Sequence, residues 1–165
     1  MEKIEIFKAP ELTSPNPLTM ICTKRTDGTA NLAPVSWFTY LSFNPPTVCF
    51  AIGTNSHSGM LIRETKKAVI TVPGSGLEDA VVRCGTSTGK DTDKSKFLNL
   101  VKSPGCDIMI PKETVLAIEV SLQRYEEVGD HYLYICSVDG VYGDADRKPL
   151  FAWDGYGRIA PLGSE

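Results

Sequence analysis

The chain has 165 residues and a formal net charge of −3, with 42% hydrophobic and 22% charged residues and a pI near 5.4. This balance supports one buried core and excludes wholesale disorder, and the missing basic excess argues against nucleic acid as a partner. The alternating start Met1-Glu2-Lys3-Ile4-Glu5-Ile6-Phe7 lacks a leader pattern and no apolar run reaches membrane-spanning length, so the expectation is one domain over 1–165, cytoplasmic, with no membrane partner.

In chain order, Leu18 to Lys24 reads as a short strand, and Asp27-Gly28, tolerant of positive φ, turns it into a second strand from Ala30. Ser36 to Phe43 and Thr47 to Ile52 are apolar, aromatic and β-branched. They flank Asn44-Pro45-Pro46, where fixed φ and missing donors exclude central pairing. Gly59 to Lys67 carries Met60, Leu61 and Glu64 at helical spacing, and Ala68 to Val72 is a compact strand. Ser75-Gly76-Leu77-Glu78 has the pattern of a capping box. A Gly/Ser/Thr-rich loop follows Cys84 and ends at Asp93, a cap for a helix over Lys94 to Val101. Leu116, Ile118, Val120 and Leu122 alternate with polar and small residues across Val115 to Arg124, and Gly129-Asp130 turns the chain into His131 to Val138, which reads as covered on both faces. The fold class is mainly β with a few short helices, a barrel closed largely on itself.

Several motifs point to chemistry and fall short of it. Gly85-Thr86-Ser87-Thr88-Gly89-Lys90 is followed by Asp91 and has three residues between its glycines, whereas a phosphate-binding Walker loop needs four and a hydroxyl after the lysine. Gly74-x-Gly76 lacks the third glycine of a dinucleotide fingerprint, because Asp79 stands there. Two histidines and five cysteines with no CxxC pair advertise no metal site and suit reduced thiols. Cys84 beside Arg83 invites a reactive thiolate, but a buried, inert thiol is the commoner state of a free cysteine. Thr54-Asn55-Ser56-His57-Ser58 differs from these. It joins a strand end to a helix start, where hydroxyls, an amide and unpaired N–H groups can hold a phosphate, or where Ser56 or Ser58 simply caps the helix.

Asn31-Leu32-Ala33-Pro34-Val35-Ser36-Trp37-Phe38, with Ser42-Phe43-Asn44-Pro45-Pro46, resembles the flavin reductase-like FMN-binding split-barrel family, especially its flavoredoxin-type members. The likeness continues through Thr54 to Ser58, Asp93-Lys94, Gly129-Asp130-His131, Pro149-Leu150-Phe151 and Tyr156-Gly157-Arg158. It implies a six-stranded antiparallel split barrel that forms a homodimer with one FMN per subunit. Asn31, Ser36, Trp37 and Phe38 would line the flavin ring and ribityl chain. Thr54, Asn55, Ser56, His57 and Ser58 would hold the phosphate, with charge from Lys94 or, if the loop is threaded differently, Lys90 or Lys96. His131 would stand near the flavin as the catalytic candidate.

By this likeness NADH or NADPH would reduce bound FMN, which would pass electrons to a protein or small acceptor. Ala33-Pro34-Val35-Ser36-Trp37 departs from the Ala-Asn-Ser-type segment of two-component flavin reductases, which keeps open an FMN electron carrier reduced by a partner protein. A pyridoxamine phosphate oxidase-like enzyme is the third reading.

Overall fold

The computed structural model describes residues 1–163. A short helix α1 (Ala9–Leu12) precedes strands β1 (Thr19–Lys24), β2 (Ala30–Val35), β3 (Phe38–Phe43) and β4 (Pro46–Gly53). Helix α2 (His57–Thr65), β5 (Lys67–Pro73) and helix α3 (Glu78–Gly85) follow. Two short strands, β6 (Leu100–Lys102) and β7 (Met109–Pro111), lead into the long hairpin β8 (Thr114–Val128) and β9 (His131–Gly143), and the pair β10 (Leu150–Trp153) and β11 (Arg158–Pro161) ends the described chain.

Seven strands form one antiparallel sheet in the order β2-β1-β5-β8-β9-β4-β3. Flat, six inter-strand spacings would hold its edges roughly 29 Å apart. The edge strands β2 and β3 are joined by only Ser36 and Trp37, a link that reaches about 11 Å. The sheet must therefore curl until its edges meet, without β2 and β3 pairing. That is a split barrel, with one strand more than the six implied by resemblance, because the partly exposed β3 folds back as a hairpin on β4.

Alternation along β1 sends side chains to two cores. Ile21 packs inside the barrel with Phe50, Ile70, Val120 and Tyr134, while Met20 and Cys22 point outward to a second cluster with Leu32, Val69, Val81 and Leu150. Helix α2 is drawn onto the barrel by Ile62, and Gly59 is required there because a Cβ would stand 2.5 Å from the Tyr134 hydroxyl.

Three local expectations change. Ser75 does not cap α3. Instead the Glu78 carboxylate accepts from Gly76 N–H at 2.8 Å, and the positive φ of Gly76 lets the chain turn. The helix expected over Lys94 to Val101 is a single 3₁₀ turn (Lys94–Phe97), capped by the Asp93 side chain, because Leu100 to Lys102 pairs with β7 instead. In β8 both faces are buried from Ala117 to Val120, since Glu119 turns under the 103–105 loop and accepts from Ser103 Oγ at 2.6 Å and Gly105 N–H at 2.8 Å.

Candidate functional site

Where the barrel edges meet, the link Ser36-Trp37 opens a cleft instead of continuing a strand. Trp37 is 51% exposed, so this aromatic residue is wall and not core. Its indole N–H donates to the Tyr156 hydroxyl at 2.8 Å, and its ring lies 4.5 Å from that of His131 at 31°. Asp130 Oδ1 is 2.7 Å from His131 Nδ1, which orients the imidazole, and the pairing holds the Asp130 carboxyl below the usual carboxylate range. Ser36, Trp37, His131 and Tyr156, with apolar walls from Val35 and Val82, line a cavity of about 440 Å³. That is within the usual range of small-molecule sites.

A second cavity, of about 250 Å³, continues from the first across shared walls at Pro34, Val35, Ile52 and Gly85. It is lined by Asn55, Ser56, His57 and Ser58 at the start of α2, and by Lys94. Ser56 caps the helix through a long 3.4 Å contact from Gly59 N–H, while the first-turn amides of His57 and Ser58 have no partner within the helix ladder. Capping and anion binding are thus compatible here. Beyond lies a third cavity of about 390 Å³ lined by Thr54, Asn55, Arg63 and Lys90.

Lys94 is buried, and its ammonium donates to Leu32 O at 2.9 Å and Cys84 O at 2.6 Å. Burial pulls its pKa down. Two of its three donors therefore hold backbone, which leaves one for the second cavity that it lines. Asn31 is also buried, donating to Thr23 Oγ1 at 3.1 Å and Ser58 Oγ at 2.8 Å. It braces Ser58 from behind. Phe38 is half-buried against the barrel interior and edge-on to Tyr40, away from the three cavities. Asn31 and Phe38 are thus the two expected ring-lining residues that do not form cavity wall.

Two residues carried no assigned role in the sequence. Arg25 donates from Nη2 to Gly89 O and, at 2.8 Å, to Thr92 O, so the first hairpin clamps the loop that roofs the second cavity. Tyr156 reaches the first cavity from the far end of the chain. Only a family motif marked Tyr156, and nothing local marked Arg25. Cys84 is 1% exposed, and burial raises its thiol pKa despite Lys94 and Arg83. Among the described residues no group of three or more His, Cys, Asp or Glu is placed to hold a metal.

The flavin reductase-like domain matches residues 12–160. The chain belongs to the flavin reductase-like family. A flavin reductase of Pseudomonas putida is 33% identical over 140 residues, covering 82% of this chain and 78% of that protein. The crystal structure of flavoredoxin from Methanosarcina acetivorans superposes with a TM-score of 0.84 at 20% identity, covering 100% of this chain and 94% of that one. The NADH:FAD oxidoreductase of Streptomyces globisporus gives 0.85 at 16% identity, covering 100% and 99%. Family membership makes this a flavin-binding protein of the reductase type, with the split-barrel fold of its neighbours.

Proposed function

We propose that the cleft binds FMN and that the protein is an FMN-dependent oxidoreductase reduced by NADH or NADPH. The observation that carries this reading is the direct junction of an aromatic-walled cavity with one lined by hydroxyls, an amide and a nine-residue helix start. A planar ring ending in a phosphate has those two chemistries in that order. Bound flavin supplies two-electron acceptance from a nicotinamide and onward transfer to an acceptor. The chain's own residues do the rest. Trp37 offers a flat apolar face, Asn55, Ser56 and Ser58 meet the phosphate with the helix dipole, and the Asp130-tethered His131 is a hydrogen-bonding group at the reacting end.

A homodimer fits the exposed β3 edge, where Tyr40, Leu41 and Phe43 are respectively 54%, 50% and 88% accessible. Such an apolar edge is usually covered by a partner. Five free cysteines suit a reducing compartment, and we place the protein in the cytoplasm. Among the described residues no helix is long and apolar enough to cross a membrane.

Titrating the protein with FMN should give a saturable, perturbed flavin spectrum that bleaches anaerobically with NADH or NADPH. Failure to take up FMN in excess would end the reading. Uptake without bleaching by either nucleotide would leave a carrier reduced by a partner protein.

A further inference from the structure

Residues 1–11 lie outside the domain match, which begins at residue 12. They form an arm in which a single 3₁₀ turn (Ile6–Lys8) leads into α1, and neither element buries a residue. Ile4, Ile6, Phe7 and Leu12 are 46%, 83%, 71% and 78% exposed, with Glu2, Lys3, Glu5, Lys8 and Glu11 interspersed among them. The charges keep such a segment in water, but four large apolar side chains so close together mark a surface that is covered.

The arm is fixed where it joins the barrel. Asn16 exchanges N–H···O bonds of 2.7 and 3.1 Å with Ala152 of β10, and a Cβ on Gly155 would stand 2.9 Å from Glu11 Cγ. The same turn carries Tyr156, whose hydroxyl accepts from the Trp37 indole, and Trp37 leads directly into β3. The arm and β3 therefore border one cleft mouth.

β3 lacks the usual protection of a sheet edge. No Asp, Glu, Lys or Arg occurs from Thr29 to Ile62, whereas exposed edges are normally blunted by charge. Tyr40 faces Val48 and Ser42 faces Thr47, so Leu41 is the extra residue of a bulge and has no cross-strand partner. At roughly 200 Å² for a large apolar side chain, the exposed parts of Tyr40, Leu41 and Phe43 amount to about 400 Å² and those of the arm to about 550 Å². A stable interface buries about 800 Å² on each partner. β3 alone is too small for that, and β3 with the arm suffices.

We infer that a second copy of this chain covers both patches at once, the arm of each protomer clasping β3 of the other about a two-fold axis. The inference rests on the homodimer reading and deepens it, because it assigns the dimer a contact supplied largely from outside the matched domain.

The test uses two variants of the full chain, Ile6→Ser with Phe7→Ser in the arm and Tyr40→Ser with Phe43→Ser in β3. All four side chains are exposed or lie at the edge of the protomer, so both variants should keep the wild-type circular dichroism. By sedimentation, each should raise the dimer dissociation constant about 10- to 100-fold. Mixed together, they should form a heterodimer about 10-fold tighter than either variant's own dimer, because that pair alone keeps one intact arm facing one intact β3. A wild type that stays monomeric would sink the homodimer reading, and the clasp with it. A wild-type dimer that the arm variant leaves unchanged would overturn the clasp alone and give the arm another occupant. A heterodimer no tighter than the two variant dimers would also overturn it, since the patches would then not meet each other.

Discussion

Gly89 lies against the buried amide of Asn31 so closely that an added Cβ would stand 2.9 Å from Asn31 Cγ, closer still to Oδ1, and 3.3 Å from His57 Cδ2. Asn31 has no room to yield, because Thr23 and Ser58 hold its Nδ2 from the other side. The roof of the second cavity therefore rests on a glycine.

Gly89→Ala should lift that roof. Overpacking of this kind costs about 1–3 kcal/mol, which as lost affinity is about 5- to 150-fold for FMN. The loop is on the surface and can part from Asn31 without opening the barrel, so the urea midpoint of the unliganded protein should change little. Flavin fluorescence titration and urea unfolding, run side by side, check both halves. An unchanged FMN affinity would show that this loop has no part in the site.

Lys94→Met keeps most of the side-chain volume and removes the donors to Leu32 O and Cys84 O. Leaving buried carbonyls unpaired costs about 1–3 kcal/mol each, and removing a buried ammonium gives some of that back, so a net loss of about 1–4 kcal/mol is expected. Urea unfolding measures it. The variant should also lose more affinity for FMN than for riboflavin, since only FMN carries the phosphate. Equal losses would assign Lys94 to shaping the cavity and not to charge.

His57 provides a pH dependence with a definite sign. Burial, with help from Arg25, lowers its pKa from 6.5, and its Nε2 is buried without a partner. Between the folded value and the unfolded 6.5 the unfolded chain binds more protons, so stability rises with pH and is lost as pH falls through 6.5 toward the lower folded value. His57→Gln should flatten that slope when urea midpoints are compared from about pH 7.5 down to about pH 5. A phosphate beside the ring favours its charged form, so FMN-loaded protein should lose less stability over the same range. An identical slope in wild type and variant would refute this account.

The strands were legible because period-two alternation and turn residues act locally. Thr19–Lys24, Ala30–Val35 and Lys67–Pro73 stand within a residue or two of where their patterns place them, and α2 starts at His57, two residues before the expected Gly59, with Ser56, one of the two candidate caps, as its cap. Local pattern failed where a distant partner competed. Leu100 to Lys102 pairs with Met109 to Pro111 instead of continuing a helix, and Glu119 enters the interior because the 103–105 loop supplies its donors.

By itself the sequence determined the family, the antiparallel strand pattern and the hydroxyl-rich strand-to-helix corner, since each depends on residues near one another in the chain. Only the tertiary structure decided that Trp37 is wall while Phe38 and Asn31 support from behind, that Lys94 spends two donors on backbone, and that Tyr156 meets Trp37. Closure of the barrel brings these residues together, and which neighbour a side chain satisfies is set by distances that no spacing along the chain encodes.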